Sequence, residues 1–147
     1  MIKLLCLTTQ VHLFYDHLLR LDSESRYLRF QGTITDEGLK SYINSVQQNP
    51  NNFVAAKFID NVVVGAVHMY CGDQLAELGF SVDDQYRGRG FARDLFNVAV
   101  PIAKENGCTT LYVDCFSSNI GMINLARSVG LSIVRNGKDA SASKDVI

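Results

Sequence analysis

Two glycines and two arginines stand together in Gln85-Tyr86-Arg87-Gly88-Arg89-Gly90-Phe91-Ala92, between an apolar run and an amphipathic one. Glycine lets a main chain approach a ligand closely, since no Cβ intervenes. The first N–H groups of a helix lack internal partners, and the helix dipole adds partial positive charge there. With Arg87 and Arg89 at its rim, the stretch reads as a cradle for phosphate or pyrophosphate. A plain turn with surface arginines is the simpler alternative. Two other phosphate loops do not fit. The dinucleotide fingerprint G-x-G-x-x-[GA] wants a small residue where Arg93 stands, and the strand before the loop belongs to an antiparallel meander. No G-x-x-x-x-G-K-[ST] occurs.

A carboxylate lies upstream. Glu77 alternates with Leu75, Gly79 and Ser81 in a strand pattern and shares a face with little else that is charged. Apolar surroundings raise a carboxylate's pKa, which suits a general base near neutral pH. A solvated strand carboxylate is the alternative. Val82 lies five residues beyond Glu77, about 17 Å at strand rise.

Metal chemistry has little support. Cys6, Cys71, Cys108 and Cys115 form no CxxC pair and have no histidine at ligand spacing, so no metal site is expected. They read as small buried hydrophobes in a reducing cytoplasm. His12, His17 and His68 are scattered. A formal net charge of −1 gives no bulk field for nucleic acid or an anionic membrane. No stretch approaches the roughly 20 apolar residues of a membrane span, and "MIKLLCL" reads as a first strand rather than a leader. A cytoplasmic protein is expected.

The 147 residues suit one layered domain. Thr9 is a candidate helix cap, ahead of Val11, Phe14, Leu18 and Leu21 on one face. "SESRYLRF" follows as a short helical or irregular piece. Thr35 starts a helix with the stripe Leu39, Tyr42, Ile43 and Val46, and Asn49-Pro50 stops it. "FVAAKFI" and "VVVGAVHMY" flank the hairpin turn Asp60-Asn61, and Gly72-Asp73 turns into "LAELGFSV". A helix follows the glycine stretch to Asn106-Gly107, with Pro101 inside it to kink it or cost one hydrogen bond. Then come strand "TTLYVDCF", a helix from about Asn119 to Val129, and strand "LSIVRN". Residues 137–147 read as a polar tail or a short last strand. The fold class is α/β (α+β), a mixed sheet with helices on both faces.

Gln85-x-x-Gly88-x-Gly90-x-Ala92 has the form Q/R-x-x-G-x-G/A and resembles the acetyl-coenzyme A pyrophosphate loop of the GNAT superfamily of N-acetyltransferases. Asn119-x-x-Met122-x-x-Leu125-Ala126-x-x-x-Gly130-Leu131 resembles the family's N-x-x-A-x-x-L-Y-x-x-x-G-F helix and turn at the same spacing. The likeness runs from about Thr8 to Asn136. "SESRYLRF", "AELGFSV" and "NIGMINLARSVGL" are most similar to the catalytic domain of bacterial protein lysine acetyltransferases.

The resemblance implies a mostly antiparallel central sheet and acetyl-CoA as co-substrate. It implies cofactor contacts from Phe80 and Val82 through their backbones, from the loop residues Gln85, Arg87, Gly88, Arg89, Gly90 and Ala92, and from Asn119. Glu77 would be the catalytic base for direct attack by a primary amine, with protein lysine as the favoured acceptor. A small amine (polyamine or antibiotic) is the alternative acceptor, and a non-catalytic acyl-CoA-binding module the alternative function. A monomer or homodimer would suffice. One departure stands out: Ala126 occupies the position of a tyrosine that, in many relatives, protonates the leaving thiolate. Tyr112, Cys115 and Ser117 are the candidates to replace it.

Overall fold

Twelve regular elements are seen in the computed structural model, which describes residues 1–146. In chain order they are β1 (Ile2–Leu4), α1 (Leu7–Arg20), α2 (Ser23–Phe30), α3 (Asp36–Gln48), β2 (Asn52–Ile59), β3 (Val62–Gly72) and β4 (Leu75–Val82). A 3-10 turn at Asp84–Tyr86 precedes α4 (Phe91–Glu105), β5 (Thr110–Phe116), α5 (Ile120–Ser128), β6 (Ser132–Asn136) and β7 (Asp139–Asp145). The strands form one sheet in the order β1-β2-β3-β4-β5-β7-β6. Every neighbouring pair is antiparallel except β4 with β5. The sheet is therefore mixed and mostly antiparallel, as expected.

Local chemistry explains most of the boundaries. Asp60 and Asn61 both adopt left-handed φ (50° and 64°), the conformation a two-residue hairpin needs. The next turn falls one residue later than its sequence pattern placed it, on Asp73 and Gln74 (φ 51° and 66°), because Gly72 still pairs with Leu75. Thr35 Oγ1 accepts from the Gly38 N–H at 3.0 Å and opens α3. Asp22 does the same for α2 through the Ser25 N–H at 2.7 Å, so "SESRYLRF" is a true helix. Thr9 is not a cap. Cys6 is the N-cap of α1 and gives no side-chain cap bond, which leaves Thr9 inside the first turn.

Two cores sandwich the sheet. α1 and α3 bury Phe14, Leu18, Leu39 and Val46 against Val54, Ala56 and Ala66 on one face. α4 and α5 bury Leu95, Ala99 and Ala126 against Val67, Leu78, Leu111 and Val113 on the other. Coverage on both sides explains the unbroken apolar runs of β2 and β3. Three cysteines are buried as expected, but Cys6 is exposed, and hydrogen bonds from Thr8 and Thr9 lower its thiol to about 7. Among the described residues no helix is long and apolar enough to cross a membrane.

The polar segment 137–147 holds a strand of seven residues rather than a loose tail. β7 sits between β5 and β6, and its Ala140 and Ala142 face the core. The sheet's other special feature is a gap. β4 and β5 pair only from Leu75↔Thr110 to Glu77↔Tyr112, although both strands continue. Beyond Glu77 they part.

Candidate active site

The parting leaves one edge of β4 without a strand partner. Asp83 donates its N–H to Val64 O on β3 at 2.8 Å, and Gln74 O accepts from Thr109 and Thr110 on the other side. Backbone groups alternate along a strand, so the N–H groups of Phe80 and Val82 point away from β3 into the gap. They offer the kind of edge to which an extended amide-bearing chain can add. A cavity of about 760 Å³ runs along this edge to the glycine loop. Of the residues singled out in the sequence, Phe80, Val82, Arg87, Gly88, Gly90, Ala92 and Asn119 line it. Gln85 and Arg89 do not. Both are exposed on the outer side of the loop, Arg89 with its guanidinium 5.1 Å from the Tyr86 ring.

Gly88 and Gly90 take left-handed φ of 75° and 81°, which a side chain would strain. Gly90 is the N-cap of α4 and supplies no side-chain oxygen. The first-turn N–H groups thus stay available to an anion. A Cβ at Gly88 or Gly90 would meet nothing within 4 Å, so space for a ligand is open on that side. Arg87 differs from expectation. It donates to Ser25 Oγ and, at 3.3 Å, to Val82 O, strapping the loop to α2 instead of standing free at the rim. Arg93, a misfit to the dinucleotide fingerprint, also lines the cavity.

Glu77 sits where the strands separate, facing a second cavity of about 240 Å³ that adjoins the first through Leu28, Arg29, Phe80, Asn119 and Met122. Its carboxylate is exposed, not held in the apolar surroundings expected of it. The reason is that the parted strands and the pairing with Tyr70, also exposed, leave it at the opening of the cavity. Asp114 lines the same cavity, and Tyr112 donates to Asp114 Oδ1 at 2.6 Å. That bond is the main cause of a raised Tyr112 pKa.

The far wall was not foreseen. Arg29 Nη2 donates to the Tyr42 hydroxyl at 2.8 Å, and Tyr42 bonds to His68 Nδ1. Arginine only donates, so Tyr42 accepts from it and passes its own proton toward His68 Nδ1. His68 Nε2–H then donates to Asn52 Oδ1 at 2.7 Å. Burial, helped by the Arg29 charge, pushes His68 down to about 3 and keeps it neutral. Burial also raises Tyr42. No sequence period marks this chain of contacts, because α2, α3, β2 and β3 meet only in the folded state.

A buried polar link holds the far end of β4. His17 Nε2 lies 2.9 Å from Ser81 Oγ. His17 Nδ1 lies 2.9 Å from Asp83 Oδ1 but out of line for a hydrogen bond. Asn119 Oδ1 caps α5 by accepting from the Met122 N–H at 3.1 Å while its side chain borders both cavities. Ala126 does not face either cavity; it is packed in the core. Of the three stand-ins for the missing tyrosine, Cys115 lines the smaller cavity, and burial raises its thiol pKa. Ser117 Oγ is engaged with Gly137 O and Asp139 O, both at 2.9 Å.

An open strand edge and an uncapped, glycine-led helix start thus share one cleft. The chain belongs to the acetyltransferase (GNAT) family, whose model matches residues 15–131. The GNAT domain of S. lividans PAT superposes with a TM-score of 0.83 at 17% identity, covering 99% of this chain and 89% of that one. The PaiA N-acetyltransferase of Thermoplasma acidophilum, solved with coenzyme A, gives 0.72 at 16% identity with 99% of each chain covered. Ribosomal-protein-alanine N-acetyltransferase of Brucella melitensis gives 0.71 at 16%, again with 99% of each chain covered. No protein of curated function matches the sequence significantly. The protein is an acetyltransferase-family enzyme and acetyl-CoA is its co-substrate. The helix-start N–H groups and the outward-pointing N–H groups of Phe80 and Val82 both open on this cleft.

Proposed function

We propose that the enzyme transfers the acetyl group of acetyl-CoA to a primary amine by direct attack in a ternary complex, with Glu77 as base. The observation that carries this reading is the position of Glu77 at the point where β4 and β5 part, beside the free β4 edge. Phe80 and Val82 hold the arm, the Gly88–Gly90 loop holds the pyrophosphate, and Asn119 borders the junction of the two cavities. Glu77 takes a proton from the ammonium, directly or through water. The amine nitrogen bonds to the carbonyl carbon, the C–S bond breaks, and the nitrogen gives up its second proton. The leaving thiolate takes up one proton, so one is released overall. With Ala126 in the core, Cys115 is the cavity's own candidate donor for that step.

Two acceptor classes remain in view. Likeness of short segments to protein lysine acetyltransferase domains supports a lysine side chain. A small amine is supported by the site itself, because α2 lies across the opening and its Tyr27 stacks on Phe116 of β5 at 5.2 Å. Thiol release from acetyl-CoA in the presence of a panel of amines tests the reading, with Glu77→Gln as the variant. The amide is nearly isosteric but accepts no proton, so turnover should fall about 10²-fold or more while acetyl-CoA binding persists. The loss should be largest near neutral pH and shrink as pH approaches the amine's own pKa. Equal turnover of the two proteins across that range removes Glu77 from the mechanism.

A further inference from the structure

Arg29 is a cation without a counter-ion. Among the described residues no carboxylate lies within ion-pair distance of it. Its hydrogen-bonding and aromatic partners are the Tyr42 hydroxyl and the rings of Phe30 and Tyr42, at 4.7 and 5.7 Å. Its Nε is buried with no partner. Guanidinium does not deprotonate in proteins, so the charge cannot be shed. Its neighbours Tyr42 and His68 are neutral and cannot balance it. Such a group is costly to keep unless something anionic comes to it.

The placement is specific. The guanidinium lies against Gly79, where a Cβ would collide with it, so the missing side chain makes its seat. It borders the smaller cavity together with Glu77 and Asp114. Glu77 and Gly79 are alternate residues of β4, about 7 Å apart on one face. The cavity is thus lined by carboxylates and by a guanidinium seated one strand repeat along the backbone from Glu77. An amine and a carboxylate on one small molecule can each make a charge-assisted hydrogen bond there, the amine donating to the carboxylate side and the carboxylate accepting from the guanidinium. The volume of about 240 Å³ equals roughly eight waters at about 30 Å³ each.

We propose that the acceptor is a small amino carboxylate, an amino acid or close analogue, with its carboxylate on Arg29 and its amine at Glu77. This deepens the acetyltransferase reading and rests on it. A polyamine would set a second ammonium against Arg29. A lysine within a protein has neutral amides beside it and leaves the guanidinium unpaired.

The test measures kcat/KM for thiol release with glycine, alanine, methionine and glutamate, each beside its carboxamide, and with putrescine and a lysine-containing peptide. The free acids should exceed their amides by 10-fold or more. Arg29→Gln should bring that ratio close to one, chiefly through KM for the acids. Gly79→Ala, which keeps the charge but displaces the guanidinium, should shrink the ratio in the same direction. The rise in melting temperature on adding acetyl-CoA checks that each variant is folded. Amides, putrescine or the peptide reacting as well as the acids overturns the proposal and leaves the acetyltransferase reading standing. So does an equal loss on all acceptors in Arg29→Gln. No thiol release with any acceptor, in a protein that acetyl-CoA stabilises, sinks both.

Discussion

His68 is neutral because of what surrounds it: burial disfavours its charge, and the Arg29 cation disfavours it further. A histidine that titrates near 3 when folded and near 6.5 when unfolded binds its proton more readily in the unfolded chain. Stability from this group is therefore complete above about pH 6.5 and falls as pH drops toward 3. The slope is about 1.4 kcal/mol per pH unit for one proton. Urea midpoints taken from pH 7 to 5 should fall less steeply in His68→Gln, whose amide can still bridge Tyr42 and Asn52. Parallel profiles would show that His68 carries none of the acid sensitivity. The same residue makes a second point. Its Nδ1 faces Tyr42, so Arg29 is oriented through two neutral groups and keeps its full charge for the cavity.

At the scale of elements, the glycine loop and α4 act as one unit. Gly90 caps the helix in a left-handed conformation and leaves the first-turn N–H groups exposed. Gly90→Val should lose the acetyl-CoA-induced rise in melting temperature, since a β-branched residue is a strong outlier at that φ. A shift as large as in the unchanged protein would mean that the loop does not hold the cofactor. This unit was readable from residues 85–92, because close approach and an uncapped helix start demand particular residue types at fixed spacing. The meander was readable for a similar reason: β2 to β4 have apolar runs broken by turn residues. The acceptor side was not. Arg29 is one of three basic or acidic residues in an eight-residue helix, and only the crossing of α2 over Gly79 singles it out. Alternation singles out Glu77 in the sequence but not its exposure, because the strand separation depends on β5, thirty-odd residues away. β7 was obscured by composition. Alternating alanine and serine carries a two-residue period with too little apolar contrast to stand out.

Across the whole molecule, the sheet depends on β7 for continuity, since β5 and β6 touch only through it. Removing residues 137–147 should leave a chain without a cooperative thermal transition by circular dichroism and without an acetyl-CoA shift. A cooperative melt in the shortened chain would mean that β5 finds another partner. The buried Ala140 and Ala142, and the pairing of β7 along all of β5, give the reason. The strand order also has a consequence for how the protein is made. A ribosome completes β5 before β7, and the 29 residues from Ser117 to Asp145 take a few seconds at roughly 5–20 residues per second. During that interval the nascent chain carries a strand edge beside Leu111, Val113 and Cys115 with nothing paired to it. Edges of that kind recruit other chains, so the arrival of β7 is what closes this edge to aggregation.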